Sequence, residues 1–322
     1  MAAGCRIPQP ALEPLRRSEP LLGTFVTITV YGENRERLNP AVSAAFDEFR
    51  RIDSLMSIHR QDSELSRLNA RASSEPVVVS DDLWKVMAKA QEIAGQTDGG
   101  FDISIRPLAE LWGFIWKEYR LPTEAELRAS LPRVNYRLIQ MDPGQRAVRF
   151  LAPGVSVDLG GIAKGYAVDC AVDKLRSLGV TNAMVKAGGD LRAIGVPPGK
   201  TSWTVQLEDP AKEGRRTTIP LRDAALSTSG NYENYFEIGG VRYSHILNPR
   251  TGRPVQGIAA CTVIAPTCME SDAMATACFV YGVEQSLAKF GARFPMRFTL
   301  MPRSAAQDNW SIRQTASFPP RQ

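Results

Sequence analysis

Four short stretches hold the residue types whose spacing could do chemistry. In Glu270-Ser-Asp272-Ala-Met-Ala-Thr276, Asp272 and Thr276 stand four apart, which puts a carboxylate and a hydroxyl on one helical face. Hard oxygen donors so placed can bind a cation such as Mg²⁺, although an N-cap Asp followed by a Thr reads the same way. In Asp158-Leu-Gly-Gly-Ile-Ala-Lys164, an acidic residue, a glycine pair and a lysine lead into a helical pattern. Helix N-terminal amides with one ammonium make a receptor for phosphate, and a plain strand-to-helix turn stays open as the alternative. The spacing is neither GxxxxGK[ST] nor GxGxxG. His245 lies in Tyr243-Ser-His245-Ile246, where a strand runs into a turn. Its imidazole suits proton transfer near neutrality.

Two further clusters are ambiguous. Lys186-Ala-Gly188-Gly189-Asp190 reads as a hairpin turn at least as well as a ligand contact. Ser227-Thr228-Ser229-Gly230 reads as a hydroxyl-rich turn that donates to phosphate oxygens or caps a loop. No GxSxG elbow surrounds its serines, which disfavours serine hydrolysis.

Positioning these groups requires a framework of strands and helices. Thr24–Tyr31 alternates and is rich in β-branched residues, which predicts a strand. Helical spacing predicts helices over Ala41–Leu55 after Pro40, from Ser80 to Gly95, from about Lys164 to Leu178, near 272–280 and over 283–290. Thr123-x-x-Glu126 predicts a capping box. Val134–Met141 and Ala147–Phe150 predict a hairpin, another strand ends at Asp158, strands dominate 183–262, and Met296–Met301 closes the series. The expected class is α+β, without internal repeats or long linkers.

Composition narrows the function classes. A chain of 322 residues suggests one large domain or two intimate ones. No run of 18 or more uncharged apolar residues occurs, which excludes a polytopic helical membrane protein. The net charge of +5 is scattered, as in Arg16-Arg17 and Arg50-Arg51, without the aromatic-laced basic stripe of a nucleic-acid binder. No partner among nucleic acids is expected. Five cysteines (Cys5, Cys170, Cys261, Cys268, Cys278) lack CxxC spacing, so neither a zinc site nor a redox dithiol is indicated. Residues 1–20 read as a proline-rich flexible leader without a secretory apolar region, although Ala-Ala-Gly-Cys5 resembles the end of a lipoprotein cleavage site.

Read in order, the chain carries LLGT (21–24), DSELSRLN (62–69), FDISIRPLAELW (101–112), DLGGIAKGYAVD (158–169), KAGGDLRAIG (186–195), LSTSGNYENYF (226–236), YSHILNPRTGRP (243–254) and SDAMATACFVYG (271–282). This ordered set resembles the ApbE family, the bacterial FAD:protein FMN transferases, from about residue 20 to 300. The resemblance implies an ApbE-type, T-fold-like α+β body with mixed sheets and packed helices. It implies a flavin transferase domain over 21–303, with a tail over 304–322. It also implies Mg²⁺-dependent transfer of the FMN half of FAD to a Ser or Thr hydroxyl, with release of AMP.

Matched motif by motif, the resemblance implies cofactor contacts from Leu22, His59, Phe101, Asp102, Ile103, Asp158, Lys164 and Ile246. It implies Mg²⁺ ligation around Gly161 (through its carbonyl), Asp272 and Thr276, with Ala275 at a position where some members carry an extra acidic ligand. His245 matches the base that deprotonates the acceptor hydroxyl, so the rate is expected to rise with pH through its titration. The acceptor implied is a protein of a membrane redox complex with an Asp-x-x-[Ser/Thr]-Gly-Ala-[Ser/Thr]-like motif. The periplasmic face of the inner membrane is the expected location, with the cytoplasm as the alternative. Three departures stand out: Leu22 replaces a common Met, His59 a ring-stacking Tyr, and Asn248 the usual Asp before Pro249. The competing functional readings are an FAD-binding protein without turnover and a Mg²⁺-dependent FAD pyrophosphatase.

Overall fold

The computed structural model describes residues 13–210, 216–302 and 310–320. In chain order the strands are β1 (Leu15–Leu21), β2 (Thr24–Tyr31), β3 (Val77–Val78), β4 (Ile139–Asp142), β5 (Ala147–Phe150), β6 (Asn182–Ala187), β7 (Asp190–Ile194) and β8 (Trp203–Glu208). They continue with β9 (Arg216–Leu221), β10 (Ala224–Gly230), β11 (Tyr235–Ile238), β12 (Val241–Ser244), β13 (Ile258–Ala265), β14 (Met296–Leu300) and β15 (Ser311–Gln314). The helices are α1 (Arg35–Met56), α2 (Glu64–Arg71), α3 (Asp81–Gln96), α4 (Arg106–Leu111), α5 (Glu124–Ser130), α6 (Ala163–Ser177), α7 (Cys268–Tyr281) and α8 (Val283–Phe290).

One antiparallel sheet organises the molecule, in the order β1-β2-β6-β7-β10-β13-β14-β15. In β2, Val26, Ile28 and Val30 point into the main core while Phe25 is exposed, the alternation expected of a strand with one covered face. Helices α1, α6 and α7 pack side by side over that covered face. Every residue of β13 is buried, because helices cover one side and the β8–β9 ribbon packs on the other through Leu191, Leu226 and Ile264. A third cluster, around Leu108, Trp112, Leu127 and Leu247, fixes α4 and α5 beneath the chain that follows β12.

Several expectations are corrected. The second half of the expected leader forms β1, which pairs in register from Leu15↔Val30 to Leu21↔Thr24. Pro20 is tolerated because β1 is a sheet edge, where a missing N–H costs no ladder bond. Residues 1–12, with Cys5 and the lipoprotein-like stretch, lie outside the described residues, as do 211–215, 303–309 and 321–322. The expected tail contributes β15 and buries Phe318 against the β8–β9 cluster, so it belongs to the body. Helix α1 begins five residues before Pro40, capped by the Asn34 side chain; Pro40 is exposed, so the carbonyl it leaves unbonded can be hydrated. Residues 136–138 form a 3-10 turn ahead of the β4–β5 hairpin. No strand forms at 155–158. There the Asn69 side chain supplies both ladder bonds, accepting from Val157 N at 2.7 Å and donating to Val157 O at 2.9 Å.

Candidate active site

Where β7 begins and β10 ends against α6 and α7, a cavity of about 890 Å³ opens. That is large enough for a dinucleotide-sized ligand. Its floor is built by α7. The first two amides of α7, at Cys268 and Met269, donate to the two carboxylate oxygens of Asp169 at 2.9 Å each, and Arg192 pairs with Asp169 at 2.7 Å. Thr267 caps the same turn. This anchoring fixes the rotation of α7, so Asp272 and Thr276 face the cavity.

Helix α6 crosses α7 at Gly165, whose amide donates to Asp272 Oδ2 at 2.9 Å. A Cβ at Gly165 would lie 2.3 Å from Cys268 O and 2.8 Å from Asp272 Cβ, so only glycine permits this approach. A Cβ at Gly161 would lie 3.3 Å from Thr276 Oγ1, which puts the Gly161 backbone beside that hydroxyl. Thr276 Oγ1 also meets Ser229 Oγ at 3.0 Å. The Gly161 backbone, the Asp272 carboxylate and the Thr276 hydroxyl therefore share one stretch of the cavity wall, a donor set that fits a small hard cation completed by ligand oxygens. Ala275 does not join them. It is fully buried in the core, absent from the cavity wall, and its methyl offers no donor.

The α6 terminus differs from a bare phosphate cradle. Ala163 N donates to Leu159 O at 2.8 Å and Gly165 N is taken by Asp272. The anion-attracting group is instead Lys164, whose Nζ donates to Gly160 O at 3.0 Å and lies 3.2 Å from Asp190 and 3.8 Å from Asp272. Burial works against its charge, but the carboxylates of Asp190, Asp272 and Glu233 outweigh that and hold the ammonium above its usual range. Burial and the Asp190 charge together push Asp272 up to about 7, against the opposing pull of Lys164. Asp158 sits beside them, accepting from Gly160 N at 2.6 Å, and burial raises its pKa too.

His245 lines the same cavity. Its Nδ1 lies 3.1 Å from Asn234 O, and its main-chain N donates to the same oxygen at 2.9 Å. A carbonyl can only accept, so Nδ1 carries the hydrogen and Nε2 keeps a free lone pair. Burial lowers the imidazole pKa to about 4, with the Asn234 bond opposing and the Lys164 charge adding to the shift. The ring is a neutral base at pH 7. Downstream, Asn248 accepts from Arg250 N at 2.9 Å, the turn-making role an Asp would also fill, and Trp112 Nε1 donates to Gly252 O at 2.7 Å to pin the loop.

The remaining expected contacts line the cavity. Leu22 (φ 52) and Gly23 (φ 69) form the β1–β2 turn, and holding a leucine in the left-handed region costs about 1–2 kcal/mol. His59 meets Trp116 edge to face at 5.5 Å. Phe101 and Ile103 present their chain at the wall, where Ile103 O already accepts from Asp158 N. The Asp102 carboxylate is consumed internally by Ser104 N, Ser104 Oγ and Tyr136 N at 2.6–2.8 Å. Ile246 is buried beside His245.

Sequence reasoning missed three participants: Asp190, Glu233 and Asn234. Asp190 lay within a stretch already noted for its Gly-Gly-Asp pattern, and that stretch is both the β6–β7 hairpin turn and part of the cavity wall. The role of Asn234 rests on a main-chain carbonyl, which no side-chain motif signals. Ser227–Gly230 is strand β10 rather than a turn, with Thr228 and Ser229 on the cavity wall.

With that geometry in view, the relatives are consistent. The ApbE family model matches residues 22–295. A protein of Vibrio cholerae named FAD:protein FMN transferase is 36% identical over 300 residues, covering 89% of this chain and 86% of the relative. One of the same name from Treponema pallidum is 32% identical over 289 residues, covering 84% and 80%. Among solved structures, the ApbE protein of Thermotoga maritima superposes with a TM-score of 0.86 at 32% identity, covering 95% of this chain and 98% of that one. The flavin transferase ApbE of Vibrio cholerae gives 0.84 at 32% identity, covering 96% and 99%. The chain belongs to the ApbE family.

Proposed function

We propose that this protein is an FAD:protein FMN transferase that moves the FMN moiety of FAD onto a Ser or Thr hydroxyl of an acceptor protein, with Mg²⁺ as cofactor and AMP as the leaving product. The observation that carries the reading is one cavity that gathers a neutral imidazole, an ammonium and a hard-oxygen donor set. In the step itself, Nε2 of His245 accepts the proton of the acceptor hydroxyl as its oxygen bonds to the FMN phosphorus. The bond from that phosphorus to the bridging oxygen breaks, and the electron pair leaves on AMP. Lys164 binds the diphosphate and offsets its charge. Asp272, Thr276 and the Gly161 carbonyl would hold Mg²⁺, which when bound supplies charge neutralisation to the phosphoryl oxygens. His59 and Trp116 offer rings for a flat group at the rim, and Leu22, Phe101 and Ile246 offer apolar wall.

On this reading the acceptor is a subunit of a membrane redox complex with the Asp-x-x-[Ser/Thr]-Gly-Ala-[Ser/Thr]-like motif, met on the periplasmic face of the membrane. Separating AMP and FMN after incubation with FAD, Mg²⁺ and such an acceptor tests the reaction class. AMP that appears only with acceptor supports transfer. AMP and free FMN in equal amounts without acceptor make the protein a pyrophosphatase, and bound but unchanged FAD makes it a flavin store.

A further inference from the structure

Lys164 lies between two carboxylates that are not equivalent. Its Nζ is 3.2 Å from Asp190 Oδ2, within hydrogen-bonding reach, and 3.8 Å from Asp272 Oδ2, beyond it. Asp272 has a second partner in the Gly165 amide, whereas the Asp190 carboxylate has Lys164 as its one ion-pair partner among the described residues. Asp190 is only 3% exposed, and a buried carboxylate left unpaired is costly, so its hold on the ammonium is strong. Its position is fixed by backbone. Gly188 turns the β6–β7 hairpin at φ 60, and a Cβ at Gly189 would come within 2.7 Å of Thr228 O, so this turn is pressed against β10. Nothing in the transfer chemistry above uses Asp190.

We propose that Asp190 is a positioning residue that holds the Lys164 ammonium away from Asp272, leaving the Asp272 carboxylate open to a divalent cation while Nζ stays at the cavity wall for a diphosphate. Without Asp190, the nearest carboxylate for the ammonium is Asp272. An ammonium paired there competes with the cation for the same oxygens. The inference rests on the cation reading given above.

The test is Mn²⁺ titration, followed by calorimetry and by the loss of free Mn²⁺ resonance signal, on the full chain without FAD. Wild type, Asp190→Asn, Lys164→Met and the double variant are compared, with circular dichroism and melting to establish folding. Asp190→Asn should weaken Mn²⁺ binding by about tenfold, within the usual range of coupling between neighbouring sites. Lys164→Met should tighten it. In the Lys164→Met background, Asp190→Asn should cost no more than about twofold, because its effect is exerted through the lysine. An undiminished loss in that background would make Asp190 a simple source of negative field and overturn the proposal, as would unchanged binding in Asp190→Asn. If Asp190→Asn fails to fold, Asp190→Ser takes its place in the same four-way comparison. Absence of Mn²⁺ binding to a folded wild type would overturn the cation reading along with this inference, whereas binding that the loss of Asp190 leaves unchanged would overturn this inference alone.

Discussion

Gly165→Ala pits local helix propensity against helix packing. Alanine in a helix is favoured over glycine by about 1 kcal/mol, so propensity alone predicts a gain. The crossing predicts the opposite. The added Cβ would stand 2.3 Å from Cys268 O, 2.7 Å from Cys268 C and 2.8 Å from Asp272 Cβ, and two of those three atoms are backbone. Restoring a C···O contact of about 3.3 Å needs α7 to withdraw by roughly 1 Å. Overpacking of this kind costs about 1–3 kcal/mol, and stretching the Gly165 N–H bond to a carboxylate adds about 1.5–3 kcal/mol. After subtracting the propensity gain, a net loss of about 1.5–5 kcal/mol is expected. Urea denaturation measures it, with Gly95→Ala as the control. Gly95 is an exposed glycine of α3 whose Cβ would meet nothing within 4 Å, so that change should be neutral or stabilise by up to about 1 kcal/mol. The same displacement should carry Asp272 and Thr276 away from Gly161 and weaken Mn²⁺ binding. Wild-type stability and unchanged Mn²⁺ affinity in Gly165→Ala would refute the tight α6–α7 crossing as the device that sets Asp272.

Asp272→Ala should abolish Mg²⁺-dependent turnover while the protein stays folded; full activity at micromolar Mg²⁺ would remove it from the metal site. Lys164→Met should raise the FAD KM more than it lowers kcat, since the ammonium meets the diphosphate already in the ground state; an unchanged KM would contradict that contact. Because His245 titrates near 4 in the free enzyme, kcat/KM at saturating Mg²⁺ should be flat with respect to this group from pH 6 to 8 and fall only in stronger acid, and His245→Ala should cut transfer by about 10²–10⁴-fold with FAD binding nearly intact. Asp272, raised to about 7, binds more protons folded than unfolded, so its contribution to stability falls as pH rises from about 4 through 7. Mg²⁺ should therefore raise the melting temperature more at pH 8 than at pH 5.5, and an equal rise at both would count against the assignment.

Much of the fold was legible because the signals were local. The β-branched alternation of Thr24–Tyr31 and the Thr123/Glu126 capping box each follow from chain geometry and appear as read. Misreadings arose where a distant partner overrode the local signal. Prolines suggested a free leader, but an edge strand accepts Pro20. The apolar run to Asp158 suggested a strand, but its partner is one asparagine side chain 88 residues away. In the site, Asp272, Thr276, Lys164 and His245 were visible as residue types at telling spacings. Asp190 and the Asn234 carbonyl were not, because their roles depend on which elements the sheet order brings together. Ala275 matches its motif position, but its side of α7 faces the core.

The central claim is phosphoester transfer to a protein hydroxyl, and intact-mass analysis of the acceptor tests it most directly. After incubation with FAD and Mg²⁺, the acceptor should gain the mass of one FMN less one water. The gain should map to a single Ser or Thr, and it should vanish when that residue is alanine or when His245→Ala replaces the wild-type enzyme. An acceptor of unchanged mass alongside consumed FAD would contradict the account.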